Sequence, residues 1–437
     1  MRSLENFELW GPASPLMQPT QDPRIVGVRK VRKAGGTTNS ERLIDDAERR
    51  ARLARRHALA PQHRLEDALA ATKAMTVLHA TEPATPYLSL FARIDSVIRS
   101  DIDDAFFEQR SLVKQLAMRR TVFVFPRDLL PAAISSPSAR IARQEHGRLV
   151  KDLERNQVAH DGATWLTAAR RAVLDRLVDG AELSAAQLRE EVAELAGRVS
   201  MYEHKPYGQV LHVAPRVVTW LGALGDVVRG HNGSHWRVNR NMWTRMDHWL
   251  GEHVARVDIQ LGYAQLVEGY LRAFGPVTER DLVWWFGATK VVVRQALADL
   301  NAVQVRLERD QTGWVLPDDL DPEPPVEPWA ALLPALDPTA LGWKEREFFL
   351  DPDFYPAIFD WSGNCGTTAW WNGKIVGAYI QDDAGRVELI VPQDPRRAGR
   401  AALNAEAKRL EDWLDGERVT AAYKSPLVTW NRSGPTG

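Results

Sequence analysis

A recurring plan of short helices, a turn and a two-stranded ribbon runs through the middle of the chain and constrains the fold more than any other feature. The clearest copy occupies residues 263–316. Leu266, Tyr270, Leu271 and Phe274 form a helical stripe that Gly275 and Pro276 stop. Thr278 is placed to cap a second helix carrying Leu282, Trp285 and Phe286, and Gly287 breaks it. The spacing predicts a third helix over 290–300, with Val292, Val293, Ala296, Leu297 and Leu300 inward. Residues 303–307 alternate at period two, a turn is expected around 310–313, and Trp314, Val315 and Leu316 return. Three helices and a hairpin in this order are the winged-helix arrangement.

A second copy is expected over 162–240. Leu166, Val173, Leu174 and Leu177 mark its first helix, and Ser184 caps the next. A third helix is expected over 210–224 despite Pro215, and strands over 227–229 and 235–238 flank an Asn-Gly turn at 231–234. A third, less regular copy is expected over 63–125, ending in a strand. The resulting expectation is an α+β chain of three tandem winged-helix modules and a small C-terminal β-barrel domain. Its divisions are a disordered basic extension (1–38), modules over 39–160, 161–258 and 259–317, a proline-rich acidic linker (318–330), and a β-barrel-like domain with a C-terminal helix (331–437). Ser40 is the expected N-cap of the first helix, and Asn372-Gly373 the tight turn of a C-terminal hairpin.

Composition narrows the function classes. With one cysteine, Cys365, neither a disulfide framework nor a cysteine-based zinc site can form. No apolar run approaches the ~18–20 residues that span a bilayer, and the first twenty residues lack a signal-peptide layout. The cytoplasm, near the nucleoid, is the expected location, with no membrane partner. A net charge of −1 does not advertise nucleic-acid binding, so any basic surface must be segregated. Arg49, Arg50, Arg52, Arg55 and Arg56 cluster, as do Arg24, Arg29, Lys30, Arg32 and Lys33, while acids collect at Asp318, Asp319, Asp321, Glu323 and Glu327. If the basic groups serve DNA, the arginines of 49–56, 119–120 and 229–237 should share one face; the alternative is a solvated helix face.

Four stretches, in this order, resemble the YcaQ/AlkZ-type DNA glycosylases. They are Lys73-Ala-Met-Thr-Val-Leu-His-Ala-Thr-Glu-Pro, Met118-Arg-Arg-Thr-Val-Phe, Phe274-Gly-Pro-Val-Thr-Glu-Arg-Asp-Leu and Asn372-Gly-Lys-Ile-Val-Gly. The resemblance runs from about residue 40 to about 427. It implies a C-shaped molecule with double-stranded DNA in its concave face, and monofunctional excision of alkylated purines or unhooking of interstrand crosslinks. It also implies that neither a metal nor an organic cofactor is needed. At the family's catalytic Gln-x-Gln or Gln-x-Asp position this chain has His79 and Thr81 around Ala80, which marks a divergent member.

Breaking the bond from C1′ to a base nitrogen passes through an oxocarbenium-like state, and an N7-alkylated purine leaves readily because it already carries charge. The site must then place water and stabilise a cation. His79, with an ordinary pKa of about 6.5, can hold that water or act as base, and Thr81 can share it; the other reading is a structural histidine at a helix end. Glu82 is the nearest carboxylate, lying about 100° from Thr81 if the segment is helical. Expected DNA contacts are Arg119 and Arg120 before a strand, Arg229, His231, Asn232, His235 and Arg237 on a wing, and Lys290 and Arg294 on a recognition helix. His231 and His235 lack a third ligand, so no metal is expected there. The pairs Trp284-Trp285 and Trp370-Trp371 read as packing. A catalytically silent DNA-binding or lesion-sensing protein is the alternative function. A transcription regulator is less favoured, because no heptad seam offers a dimer interface and tandem modules suit a monomer.

Overall fold

The same pairing device appears three times in this computed structural model, which describes residues 39–201 and 208–433. In each of the three expected copies, a short extended segment just ahead of a helix pairs with the returning strand of the following hairpin. Leu78–His79 pairs antiparallel with Val122–Pro126. Leu183 bridges to Trp243, and Val277 bridges to Trp314. The hairpin is thereby tied back to its own helices, and an otherwise open ribbon edge gains a partner.

The copy nearest the C-terminus follows its sequence signals closely. Asp258 caps Ile259–Phe274, Thr278 and Asp281 form a reciprocal capping box on Glu279–Phe286, and Thr289 caps Lys290–Asp299. Val303–Leu307 and Thr312–Val315 make the hairpin. At the other end of the chain, Ser40 does not cap a helix. Asn39–Ile44 is a strand lying parallel to Val303–Leu307, and Asp45 caps Asp46–Arg56 by accepting the Glu48 N–H. Burial decides this: Ile44 is fully enclosed with Val303, Val305, Leu307 and Val315, a face the two-stranded ribbon cannot cover alone. The extension expected over 1–38 lies outside the described residues.

The middle copy departs more. Gly162–Arg176 and Ala185–Glu191 are the expected helices. The third is Ala214–Leu224, with Pro215 in its first turn where no N–H is needed. Gln209–His212 is instead a strand against Arg198–Met201. The wing pairs Val227–Asn232 with Asn241–Arg245, not with 235–238. Trp243 and Thr244 are buried and His235 and Arg237 are not, so the later segment returns. The Asn232 side chain bridges the long connection by donating to the carbonyls of His235 and Val238 and accepting the Arg240 N–H.

The C-terminal region is an open four-stranded antiparallel sheet in sequential order, Ala330–Leu333, Thr368–Trp371, Lys374–Gln381 and Val387–Ile390. The expected barrel does not close among the described residues. Four strands are too few to curl into a cylinder, and the helix Arg396–Leu414 covers the sheet with Leu403, Ala407, Leu410 and Leu414. Asn372 and Gly373 both take positive φ, 48° and 77°, in the expected tight turn.

Ion pairing joins these parts. The arginines of 49–56 are not a free basic face. Arg52, 1% exposed, meets Glu48 and Asp319 at 3.0 and 2.9 Å; Arg56 meets Asp319 at 2.7 Å; Arg55 meets Glu323. Arg49 lies 3.8 Å over the Phe348 ring. The acidic segment after residue 317 thus neutralises this helix, and the expectation of one shared basic face fails. Deeper still, Arg93 and Asp337 pair at 2.7 Å with neither side chain exposed. Asp337 also accepts from Ser89 Oγ and the Thr339 N–H. Removing one member of such a pair strands a buried charge, a cost of about 3–5 kcal/mol. Asp337→Ala should therefore lower unfolding stability by that amount in urea titration, and a loss below about 1 kcal/mol would show that the pair is not structural.

Candidate active site

His79 and Thr81 sit where a strand ends and a helix begins. Residues directly opposite in a sheet share a face. His79 therefore shares its face with Phe123 and Gln115, while Leu78 shares the other with Val124 and Lys114. The His79 ring is 5% exposed and meets Phe123 edge-on at 5.3 Å. Burial, aided by the Arg119 charge, brings its pKa down to about 3. It is a neutral ring at physiological pH, not the group of ordinary pKa that the sequence suggested. The chain then bends through 80–83 before Ala84–Arg93, so the helical relation expected between Thr81 and Glu82 does not hold. The Thr81 N–H points back to His79 Nδ1 at 3.4 Å, which pins the bend.

The bend separates three side chains. Thr81 lines a narrow pocket with Lys114, Arg229, His231, Asn232 and Asn239, and His79 does not. Glu82 turns to another side, accepting the Tyr423 N–H at 2.8 Å; burial raises its carboxyl to about 7. It borders a cavity of about 140 Å³ beneath the C-terminal sheet.

Two cations face Thr81. Lys114 makes no hydrogen bond or salt bridge among the described residues and lies 5.0 Å from the Phe106 ring. Burial and then the Arg229 charge lower its pKa to about 8, against the pull of Asp103. Arg229 lies 5.3 Å over Trp243 and is lowered by burial to about 10. Such a cluster suits an anionic or electron-rich ligand. Sequence reasoning missed Lys114. Its signal was a single cation inside the apolar strand Leu112–Leu116.

The other expected DNA contacts are distributed differently. Arg119 is half-buried, its guanidinium 4.0 Å over Trp284 and 5.3 Å from Trp285, in a tight turn at φ 51°. Arg120 reaches Glu145 at 2.9 Å. His231 Nδ1 meets Glu182 at 2.7 Å and its ring stacks on Phe107. The wing tip is docked, not free: His235 Nε2 and Arg237 Nε meet the Glu417 carboxylate at 3.0 and 2.9 Å. Trp236 between them packs against Tyr87 and Trp413. Lys290 and Arg294 remain on an exposed helix face, Arg294 paired with Glu279 at 2.6 Å. The hairpin of the middle copy thus forms a wall of the Thr81 pocket, while Lys290 and Arg294 lie elsewhere. Among the described residues no cluster could hold a metal ion, and no helix is long and apolar enough to cross a membrane.

Two outcomes follow from this geometry. His57, fully buried, is also lowered to about 3, chiefly by burial and then by Arg93. In the unfolded chain both imidazoles titrate near 6.5. As pH falls below that value the unfolded state takes up protons first, so stability drops between pH 6.5 and 3, by up to about 1.4 kcal/mol per pH unit per histidine. Thermal melting from pH 7.5 to 5 should show this slope, and His57→Asn and His79→Asn should each flatten it. Separately, Glu417→Gln should loosen the docked loop and speed limited proteolysis within 233–240; unchanged cleavage would mean that apolar packing of Trp236 suffices.

A family model described as DNA glycosylase AlkZ-like matches residues 72–413. No curated protein matches the chain. Among solved structures, the Streptomyces sahachiroi DNA glycosylase AlkZ superposes with a TM-score of 0.67 at 18% identity, over 86% of this chain and 98% of that one. At that identity the likeness concerns the fold.

Proposed function

The chain belongs to the AlkZ-like DNA glycosylase family, and from that premise we propose that it excises alkylated purines, or unhooks interstrand crosslinks, at the pocket bordered by Thr81. The observation that carries this reading is the convergence of Thr81, Lys114 and Arg229 on one pocket, at the end of the segment that resembles the family's catalytic stretch. In this reading the three helix-and-hairpin units, over 39–160, 161–258 and 259–317, act as winged-helix modules that hold duplex DNA. Arg229 and the wing of the middle unit approach the lesion, and Lys290 and Arg294 lie along the duplex.

The chemistry is divided among few groups. A cationic leaving base needs little acid assistance, so the work is to place water and to balance charge on the sugar. The Thr81 hydroxyl orients the water. His79 acts as a positioning residue, its neutral ring receiving the Thr81 N–H and keeping the hydroxyl aimed into the pocket. Arg229 holds a flanking phosphate, and the Lys114 charge beside it adds to the electropositive field of the pocket. No step requires a cofactor.

A second reading, a DNA-binding protein without chemistry, is favoured by the burial of His79 and by a hydroxyl standing where the family has an amide or acid. The two readings separate in one assay. Purified protein with duplex DNA containing N7-methylguanine should release the free base, and Thr81→Ala should slow release by roughly tenfold to a hundredfold. Duplex binding that weakens with salt but never yields free base would leave the second reading standing. Absence of both binding and release would remove both.

A further inference from the structure

An amine with no ion-pair partner among the described residues, opening into the same pocket as Thr81, can do more than balance charge. We propose that Lys114 is a nucleophile toward the sugar left after base loss, so that the protein cleaves abasic DNA through an imine. This rests on the glycosylase reading of the pocket and goes beyond the monofunctional excision that the family resemblance implied.

The placement is specific. Lys114 lies midway along Leu112–Leu116, the central residue of a strand whose neighbours Leu112, Val113, Gln115 and Leu116 are buried. Its backbone is held by pairing with Val124, and the side chain leaves the sheet on the face opposite His79. Carboxylates that ordinarily pin a lysine are engaged elsewhere: Asp103 receives the Tyr87 hydroxyl, and Glu182 receives His231. The ammonium instead rests on the Phe106 ring and faces the Arg229 charge. With its pKa near 8, a useful fraction of the amine is uncharged at neutral pH. Val238 and Asn239, which line the same pocket, follow directly on the segment held on Glu417 through His235 and Arg237.

The step balances without an oxidant or cofactor. Loss of the base leaves a sugar whose ring opens to an aldehyde at C1′. Lys114 Nζ adds to C1′, water leaves, and a protonated imine forms. That imine acidifies C2′. A proton passes from C2′ to solvent, the C3′–O bond breaks, and the phosphate departs with the downstream strand. Water then hydrolyses the imine and restores the amine.

The test supplies the abasic site ready-made, so it does not depend on base excision. Full-length protein is incubated with duplex DNA carrying one abasic site and treated with borohydride, which reduces the imine to a stable amine link. A covalent protein–DNA adduct should appear, and peptide mass mapping of the wild-type adduct should place the sugar on residue 114. Lys114→Arg keeps the charge but should lower adduct yield at least about tenfold. No adduct from the wild type, or mapping to another residue, overturns the proposal. Base release from methylated duplex without any adduct would overturn it while leaving the glycosylase reading intact; an adduct without base release from any alkylated duplex would retain it and remove that reading.

Discussion

A guanidinium and a carboxylate with no access to water, Arg93 and Asp337, set the relative position of most of the molecule. Neither can stay charged in the interior without the other, because burial alone would raise the Asp337 carboxyl; the Arg93 charge and the surrounding donors hold it below the ordinary carboxylate value instead. The network extends outward. Arg93 donates to Thr339 Oγ1, whose other neighbour is His57 Nδ1, and His57 Nε2 meets the Ala273 carbonyl. Four segments distant in sequence thus meet in one polar knot: the helix Asp46–Arg56 through its C-cap His57, the helix Ala84–Arg93, the end of Ile259–Phe274 and the start of the C-terminal sheet. The helix Ala84–Arg93 follows directly on the bend that holds Thr81, so the knot also anchors the pocket.

Charge at the surface follows the same logic at lower cost. A chain with nearly equal numbers of acids and bases can either segregate them or pair them. This one pairs most of the arginines of 49–56 with the acidic segment after residue 317, and pairs the wing tip with Glu417. Among the described residues, what remains unpaired near the candidate site is small and local, Lys114 and Arg229 beside Thr81. A net charge near zero is therefore compatible with an electropositive pocket, because the balance is struck elsewhere on the molecule.

Division of labour among His79, Thr81 and Glu82 comes from one change of backbone direction. While the chain is extended, alternation sends His79 into the core; once it bends, Thr81 faces the pocket and Glu82 the cavity beneath the C-terminal sheet. A histidine enclosed in this way is a weak base and a good hydrogen-bond acceptor, and here it accepts the Thr81 N–H.

Local signals were legible where they are self-contained. The stripe of 263–274, the Thr278 cap, the Ser184 cap and the Asn372-Gly373 turn depend on residues a few positions apart, and each element forms as its sequence indicates. The three helices and hairpin of residues 259–315 were legible for the same reason. Partners chosen across the chain were not. Asn39–Ile44 is a strand because a distant hairpin offers it an edge, and the middle wing returns at Asn241–Arg245 because Trp243 finds an enclosed site. Four strands stay open because a helix covers them, and Lys114 joins Thr81 only through sheet register. Periodicity and capping are written within a turn or two of the chain; burial, pKa and the convergence of charges depend on which remote surface arrives, and only the packed molecule decides that.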